Sequence, residues 1–132
     1  MKEKILNVVD EAVKTFFQIY PEDVLACHHC GSIIYDVRFI LQFLLLQESL
    51  DEEMKILSYY RCPEHNKEVG GAKNSRHIQG RAIDIIAPNL SVECFIERAK
   101  QAGMTTILYY PAKKFFHLDN ADRAVYIDVN RK

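Results

Sequence analysis

The sequence predicts an α+β fold: a small, mostly antiparallel sheet packed with N-terminal helices and one later helix. Two observations carry this. Apolar residues recur at helical spacing as far as Gln47, whereas after Leu50 the apolar runs shorten to strand length. The last three of these runs follow one another across short turns, as strands of an antiparallel sheet do. At 132 residues the chain has the length of one domain, expected to span residues 1–132. A chain of that size buries roughly two thirds of its unfolded surface, so its core needs no staples.

The elements follow in order. Ile5, Val8, Val9, Ala12, Val13, Phe16 and Phe17 form the apolar stripe of a first helix that ends near Tyr20-Pro21. A second helix is expected from about Ser32 to Gln47, with Ile33, Val37, Ile40, Leu41, Leu44 and Leu45 facing inward. Met54 to Tyr60 suits a strand. The stretch from Arg61 to Gly80 is polar and glycine-containing, and a loop that long inside a compact domain is usually functional. Arg81 to Ala87 reads as a buried strand with Asp84 in its middle. Ser91 is the expected N-cap of a third helix, with Val92, Phe95, Ile96 and Ala99 inward and Gly103 at its end. Strands over Thr105 to Tyr110, Lys114 to Asp119 and Arg123 to Val129 complete the chain. No repeats, low-complexity tracts or linkers interrupt it.

Seventeen Lys+Arg against eighteen Asp+Glu leave a net charge of -1, which excludes a broad electrostatic footprint for nucleic acid or an anionic membrane. Phe39 to Leu46, the most apolar segment, is too short to span a bilayer and is interrupted by Gln42. Carboxylates at Glu3, Asp10 and Glu11 stand where a secretory signal would be apolar, so no export signal is visible. The Met1 start is read as a complete chain made in the cytoplasm, and a monomer is expected.

The residues that carry chemistry are Ser75-Arg76-His77-Ile78-Gln79-Gly80-Arg81-Ala82-Ile83-Asp84 and Phe116-His117-Leu118-Asp119. Asp84 lies between Ile83 and Ile85, and His117 between Phe116 and Leu118, so both would be buried at a cost unless compensated. One Zn²⁺ held by His77, Asp84 and His117 would resolve those costs together. Three protein ligands leave a fourth position open for water, the arrangement of a catalytic zinc. On residue types alone, a core histidine for His117, an ion-paired Asp84 and a surface His77 are each, taken separately, the simpler account.

The string Ser75-x-His77-x-x-Gly80-x-Ala82-x-Asp84, followed by Phe116-His117-Leu118-Asp119, resembles the zinc site of the D-Ala-D-Ala carboxypeptidase family. That family belongs with the lysostaphin and hedgehog-type zinc folds. Tyr60-Arg61-Cys62, Asn66 and Val69-Gly70-Gly71-Ala72 are similar to its smaller, endopeptidase-like branch. The resemblance spans about Ile56 to Asp119. It implies His77, Asp84 and His117 as zinc ligands, and Arg61 as the arginine that binds a substrate carboxylate or stabilises the oxyanion. Ser75 either lines the site or caps the local turn.

One position departs from the pattern. The best-known members carry a glutamate base three residues before the last histidine, where this chain has Lys114. Asp119 is the nearest acid. It either activates the water or orients His117, and the orienting role is preferred. Tyr109 and Tyr110 are read as pocket-lining or core residues.

Cys27-His28-His29-Cys30 offers a single CxxC pair, and no His follows Cys30, so covalent haem attachment is excluded. Ordinary thiols near a helix start are expected, with a structural metal completed by Cys62 and His65 as the alternative.

The resemblance therefore implies a zinc peptidase acting on peptidoglycan stem or cross-link peptides. A zinc-bearing binding module without catalysis is the rival, and a metal-free interaction domain the third reading. Peptidoglycan lies outside the membrane, so a phage or prophage lysis enzyme released by a holin, or a chain trimmed of its leader, would reconcile substrate with location.

Overall fold

A computed structural model describes residues 2–71, 75–121 and 125–128, with side chains described between residues 9 and 121 of those ranges. The amphipathic stripe at the start forms helix α1 (Lys2–Ile19), in which Phe16 is fully buried and Val13 and Phe17 pack against the core. Ile5 and Val8 lie outside the described side chains. A short helix α2 (Glu22–Leu25) follows, which the sequence pattern did not announce.

Helix α3 (Val37–Glu48) begins five residues later than expected. Asp36 is its cap: Asp36 Oδ2 accepts the Phe39 amide at 2.9 Å. Its buried face also differs from the expected one. Phe39, Ile40, Phe43 and Leu46 are fully buried, whereas Leu45 is 57% exposed and Leu41 and Leu44 are only partly covered. The aromatic residues decide the rotation of the helix. Phe43 packs edge-on to Phe16 at 6.0 Å, and Phe39 stacks on Tyr59 at 6.0 Å.

The sheet has five strands in the order β1-β2-β4-β3-β5: β1 (Lys55–Ser58), β2 (Ala82–Ile86), β3 (Thr106–Tyr110), β4 (Phe115–Asp119) and β5 (Val125–Asp128). The first three pairings are antiparallel, and β5 lies parallel to β3 at the edge. The mostly antiparallel α+β architecture read from the sequence is the one observed. Arg123, Ala124 and Val129 of the last expected strand lie outside the described residues. Lys114, expected within β4, sits in the preceding turn with φ 55°.

Alternation along the strands divides the sheet into two faces. Ile83, Ile85, Ile107 and Leu118 are fully buried on one face and Phe116 nearly so. Helix α5 (Val92–Gln101) covers this side, capped by Ser91, with Phe95 against Phe116 at a centroid distance of 4.4 Å. The other face carries Asp84, His117 and Asp119.

The polar stretch between β1 and β2 is not a bare loop. Pro63 starts helix α4 (Pro63–Glu68), and Arg76–Gln79 forms a 3₁₀ turn. Two polar side chains from this stretch are buried, Asn66 under Gly71 and His77 completely. Asn74 and Ala72 lie outside the described residues. Gly80 closes the turn with φ +69°, and a Cβ there would stand 2.4 Å from the Ile34 carbonyl oxygen. Among the described residues, no helix is long and apolar enough to cross a membrane.

Gly80 therefore meets two demands that Gly70, with φ +73° and open space around it, does not combine. Gly80→Ala is expected to lower stability by about 1–3 kcal/mol through backbone strain, and further through the clash. The urea midpoint should fall more for Gly80→Ala than for Gly70→Ala, at unchanged m-value.

Candidate metal centre and cleft

Strand register brings the first two residues together. Asp84 of β2 stands directly opposite His117 of β4, so both side chains leave the same face of the sheet. Asp119, two residues along β4, shares that face. His77 arrives from the 3₁₀ turn, where Ser75 Oγ accepts the His77 amide at 3.2 Å. These residues, together with Arg61, Leu108, Tyr110 and Phe115, line a cleft of about 570 Å³. A larger apolar groove of about 670 Å³ runs between α1 and α3, and it gathers no comparable chemistry.

The hydrogen bonds fix the state of each ring. His77 Nδ1 lies 2.6 Å from the Tyr59 carbonyl oxygen, which can only accept, so Nδ1 carries the proton. His77 Nε2 is then buried, without a hydrogen-bond partner, and 3.3 Å from Asp84 Oδ1. A positive centre belongs between these two atoms, either a second ring proton or a metal cation that takes its place. The same Asp84 oxygen lies 2.9 Å from His117 Nδ1, while His117 Nε2 lies 2.7 Å from Asp119 Oδ2.

Charge follows this pattern. Burial works to raise the Asp84 carboxyl, but the His117 and His77 rings overcome it and hold Asp84 well below the usual carboxylate range. Burial works to lower the His117 imidazolium, but Asp119 and Asp84 on either side push it up to about 9. Asp119 is held low despite its burial, by His117 and by the Ala121 amide that donates to its Oδ1 at 3.0 Å. Arg61 is lowered by burial, with Asp84 acting in the opposite sense, and its Nε is buried without a partner.

One donor atom from each of His77, Asp84 and His117 lies within 4.8 Å of the others. Ligands of an ion bonded at about 2.0–2.1 Å in tetrahedral geometry stand about 3.3 Å apart. The 3.3 Å separation from His77 Nε2 to Asp84 Oδ1 matches that spacing, and the 2.9 Å separation from His117 Nδ1 is a hydrogen-bond length that would open slightly around an ion. The donor set of two imidazoles and a carboxylate fits zinc-class ions, so these residues could hold a metal.

The other sequence-nominated residues fall as follows. Arg61 and Ser75 both line the cleft, and Ser75 also caps the turn, so its two readings coexist. Tyr110 lines the cleft, and Tyr109 packs against Phe116 at 4.7 Å. Lys114 is exposed and in a turn, outside the cleft lining. The sequence reading missed Tyr59. Its carbonyl sets the His77 tautomer, and its hydroxyl donates to the Gly80 carbonyl oxygen at 2.6 Å. A backbone carbonyl leaves no signature in sequence, so nothing pointed to it.

Residues 22–119 match the family model described as Peptidase M15. The chain belongs to that family. The match covers well over half of the chain and contains all six nominated residues, from Arg61 to Asp119, while leaving α1 and β5 outside it. The D-Ala-D-Ala carboxypeptidase-like resemblance of the motifs and the family match therefore agree. Membership makes the chain a metallopeptidase by family and implies a peptide substrate. No curated protein matches the chain.

If the M15 centre holds its ion as the geometry suggests, Asp84→Ala and His117→Ala each lower bound metal by one ion per chain relative to the unaltered protein. Elemental analysis after purification without chelator checks this. Unchanged metal content in both variants would show that these residues hold no ion.

Proposed function

We propose that this chain is a zinc-dependent peptidase that hydrolyses an amide bond in stem or cross-link peptides of peptidoglycan. The observation that carries the reading is the convergence of His77 Nε2, Asp84 Oδ1 and His117 Nδ1 on one point of a cleft that Arg61 also lines. His77, Asp84 and His117 would be the zinc ligands, leaving a position open toward the cleft. When bound, zinc supplies an activated water and polarises the scissile carbonyl.

The remaining work falls to the chain's own groups. The Tyr59 carbonyl holds His77 in the tautomer that presents Nε2. Asp119 accepts from His117 Nε2 and so orients that ring with Nδ1 toward the centre. Both Asp119 oxygens are engaged, one by His117 and one by the Ala121 amide, which supports the orienting role over that of a free base. Arg61, with an unpartnered buried Nε, offers donors for a substrate carboxylate or for the oxyanion. Ser75 closes the cleft wall next to His77. Action at the cell wall, as in a phage-type lysis enzyme, is part of the same proposal.

A non-catalytic, zinc-containing binding module is the second reading, and Lys114 in place of a base favours it. Incubating zinc-loaded protein with muropeptides separates the two. Released fragments support the peptidase, and zinc-bearing protein that turns over no stem or cross-linked peptide supports the module.

Two variants test the assigned roles. Arg61→Ala should lower kcat about 10²–10³-fold while bound zinc is retained, the usual cost of losing an oxyanion donor. Asp119→Asn should weaken zinc affinity about 10–100-fold, as loss of an orienting partner does, yet recover activity at saturating zinc. Abolished turnover at full zinc occupancy would instead make Asp119 the base.

A further inference from the structure

A second cluster lies outside the cleft. Three of the four cysteines, Cys27, Cys30 and Cys62, bring their sulfurs within 4.8 Å of one another, and all are free thiols. They come from two segments, the turn after α2 and the residue that caps α4. We infer that Cys27, Cys30 and Cys62 hold a second metal ion, a soft divalent cation of the zinc class, in a structural site with His29 as the fourth donor.

The local backbone is shaped for this. Cys27 opens a tight turn in which the Gly31 amide donates to the Cys27 carbonyl and the Cys27 amide donates to the Ser32 carbonyl, each at 2.8 Å. Gly31, at φ +75°, closes it and brings Cys30 back beside Cys27. The Cys62 amide donates to Cys27 Sγ at 3.4 Å. The His65 amide donates to Cys62 Sγ at 3.4 Å. Amide donation to a sulfur favours its thiolate, the form in which cysteine binds metal.

An imidazole stands beside the sulfurs. His29 Nδ1 lies 3.8 Å from Cys62 Sγ, and the Glu68 carboxylate lies 3.9 Å from His29 Nε2, on the far side of the ring. His65 stacks on the outer side of His29 at 6.0 Å, with its Nδ1 buried and unpartnered. Sulfurs bonded at about 2.3 Å to a tetrahedral ion stand about 3.8 Å apart, so a small contraction would bring the three sulfurs, which lie within 4.8 Å of one another, onto one ion, with His29 closing in from beside Cys62. Three thiolates and an imidazole select zinc-like ions over calcium or magnesium and leave no position for a substrate. The consequence for the cleft is direct. Cys62 follows Arg61, and Tyr60 is already tied to Leu25 through its amide, so an ion bridging Cys62 to the Cys27 turn fixes the backbone that carries Arg61.

The test uses the full chain, purified under reducing conditions without chelator, then analysed for metal and reconstituted with Co²⁺. Thiolate-to-cobalt charge-transfer absorption is expected in the unaltered protein and in His77→Ala, whose cleft site is disabled. Cys30→Ser, at an exposed position, and Cys62→Ser should each lose that absorption and one ion per chain. If the cleft holds no ion, the unaltered protein carries one ion, His77→Ala keeps it and Cys30→Ser removes it, which still supports the thiolate site. Metal content unchanged in folded Cys30→Ser, absence of the absorption in the unaltered protein, or a Cys27–Cys30 disulfide in anaerobically prepared protein would each overturn it.

Discussion

Burying a carboxylate in the middle of a sheet costs several kcal/mol unless its oxygens are met by positive or donating groups. Asp84 meets that condition through the His117 ring of the neighbouring strand, and through the proton or cation that its 3.3 Å approach to His77 Nε2 calls for. Every other feature of the cleft serves to keep those three in place. The antiparallel register of β2 on β4 sets Asp84 opposite His117, and a slip of one residue would turn both into the apolar face. Ile83, Ile85, Phe116 and Leu118 make that slip costly, since they would have to leave the core for the cleft.

A short run of backbone after β1 holds the remaining side. Tyr59 gives its carbonyl to His77 and its hydroxyl to Gly80, so one residue fixes both the ring and the turn that delivers it. The Tyr60 amide is bound to Leu25, and the Arg61 amide to the His77 carbonyl. Cys62 joins the thiol cluster. Tyr59 through Cys62 thus links the aromatic core, the cleft and the thiols in four consecutive residues.

Much of this was legible in the sequence where chemistry conflicted with position. Asp84 and His117 stood out because ionisable residues in apolar strands require a compensating partner, and the ordered spacing from Ser75 to Asp84 supplied a candidate. The strands and α5 followed from alternation and from Ser91. What was not legible depended on distant contacts. Helix α3 starts after Asp36 and not near Ser32, because the preceding chain passes against Gly80 and the Asp36 amide meets the Tyr59 hydroxyl. Helix α4, with sequence Pro-Glu-His-Asn-Lys-Glu, has no apolar period and buries only Asn66. The approach of Cys62 to Cys27 joins residues 35 apart, which no local pattern encodes.

The charge of the cleft bears on what it can receive. Among its described lining residues, Arg61 and Arg76 supply +2 and Asp84 and Asp119 supply −2, and the proton that the two carboxylates hold on His117 is one that a bound ion would displace. Both carboxylates are already committed, Asp84 to the two rings and Asp119 to His117 and the Ala121 amide. A dication bound there, as proposed, would raise the total to +2, on a chain whose overall charge is -1. The local excess is therefore a property of the site and not of the surface. It suits a peptide that ends in, or carries, a carboxylate close to the bond to be cleaved, with Arg61 as the fixed donor pair for that group. On this argument a neutral, amidated peptide forfeits the Arg61 pairing, and the preference for an anionic substrate should weaken as salt screens the cleft.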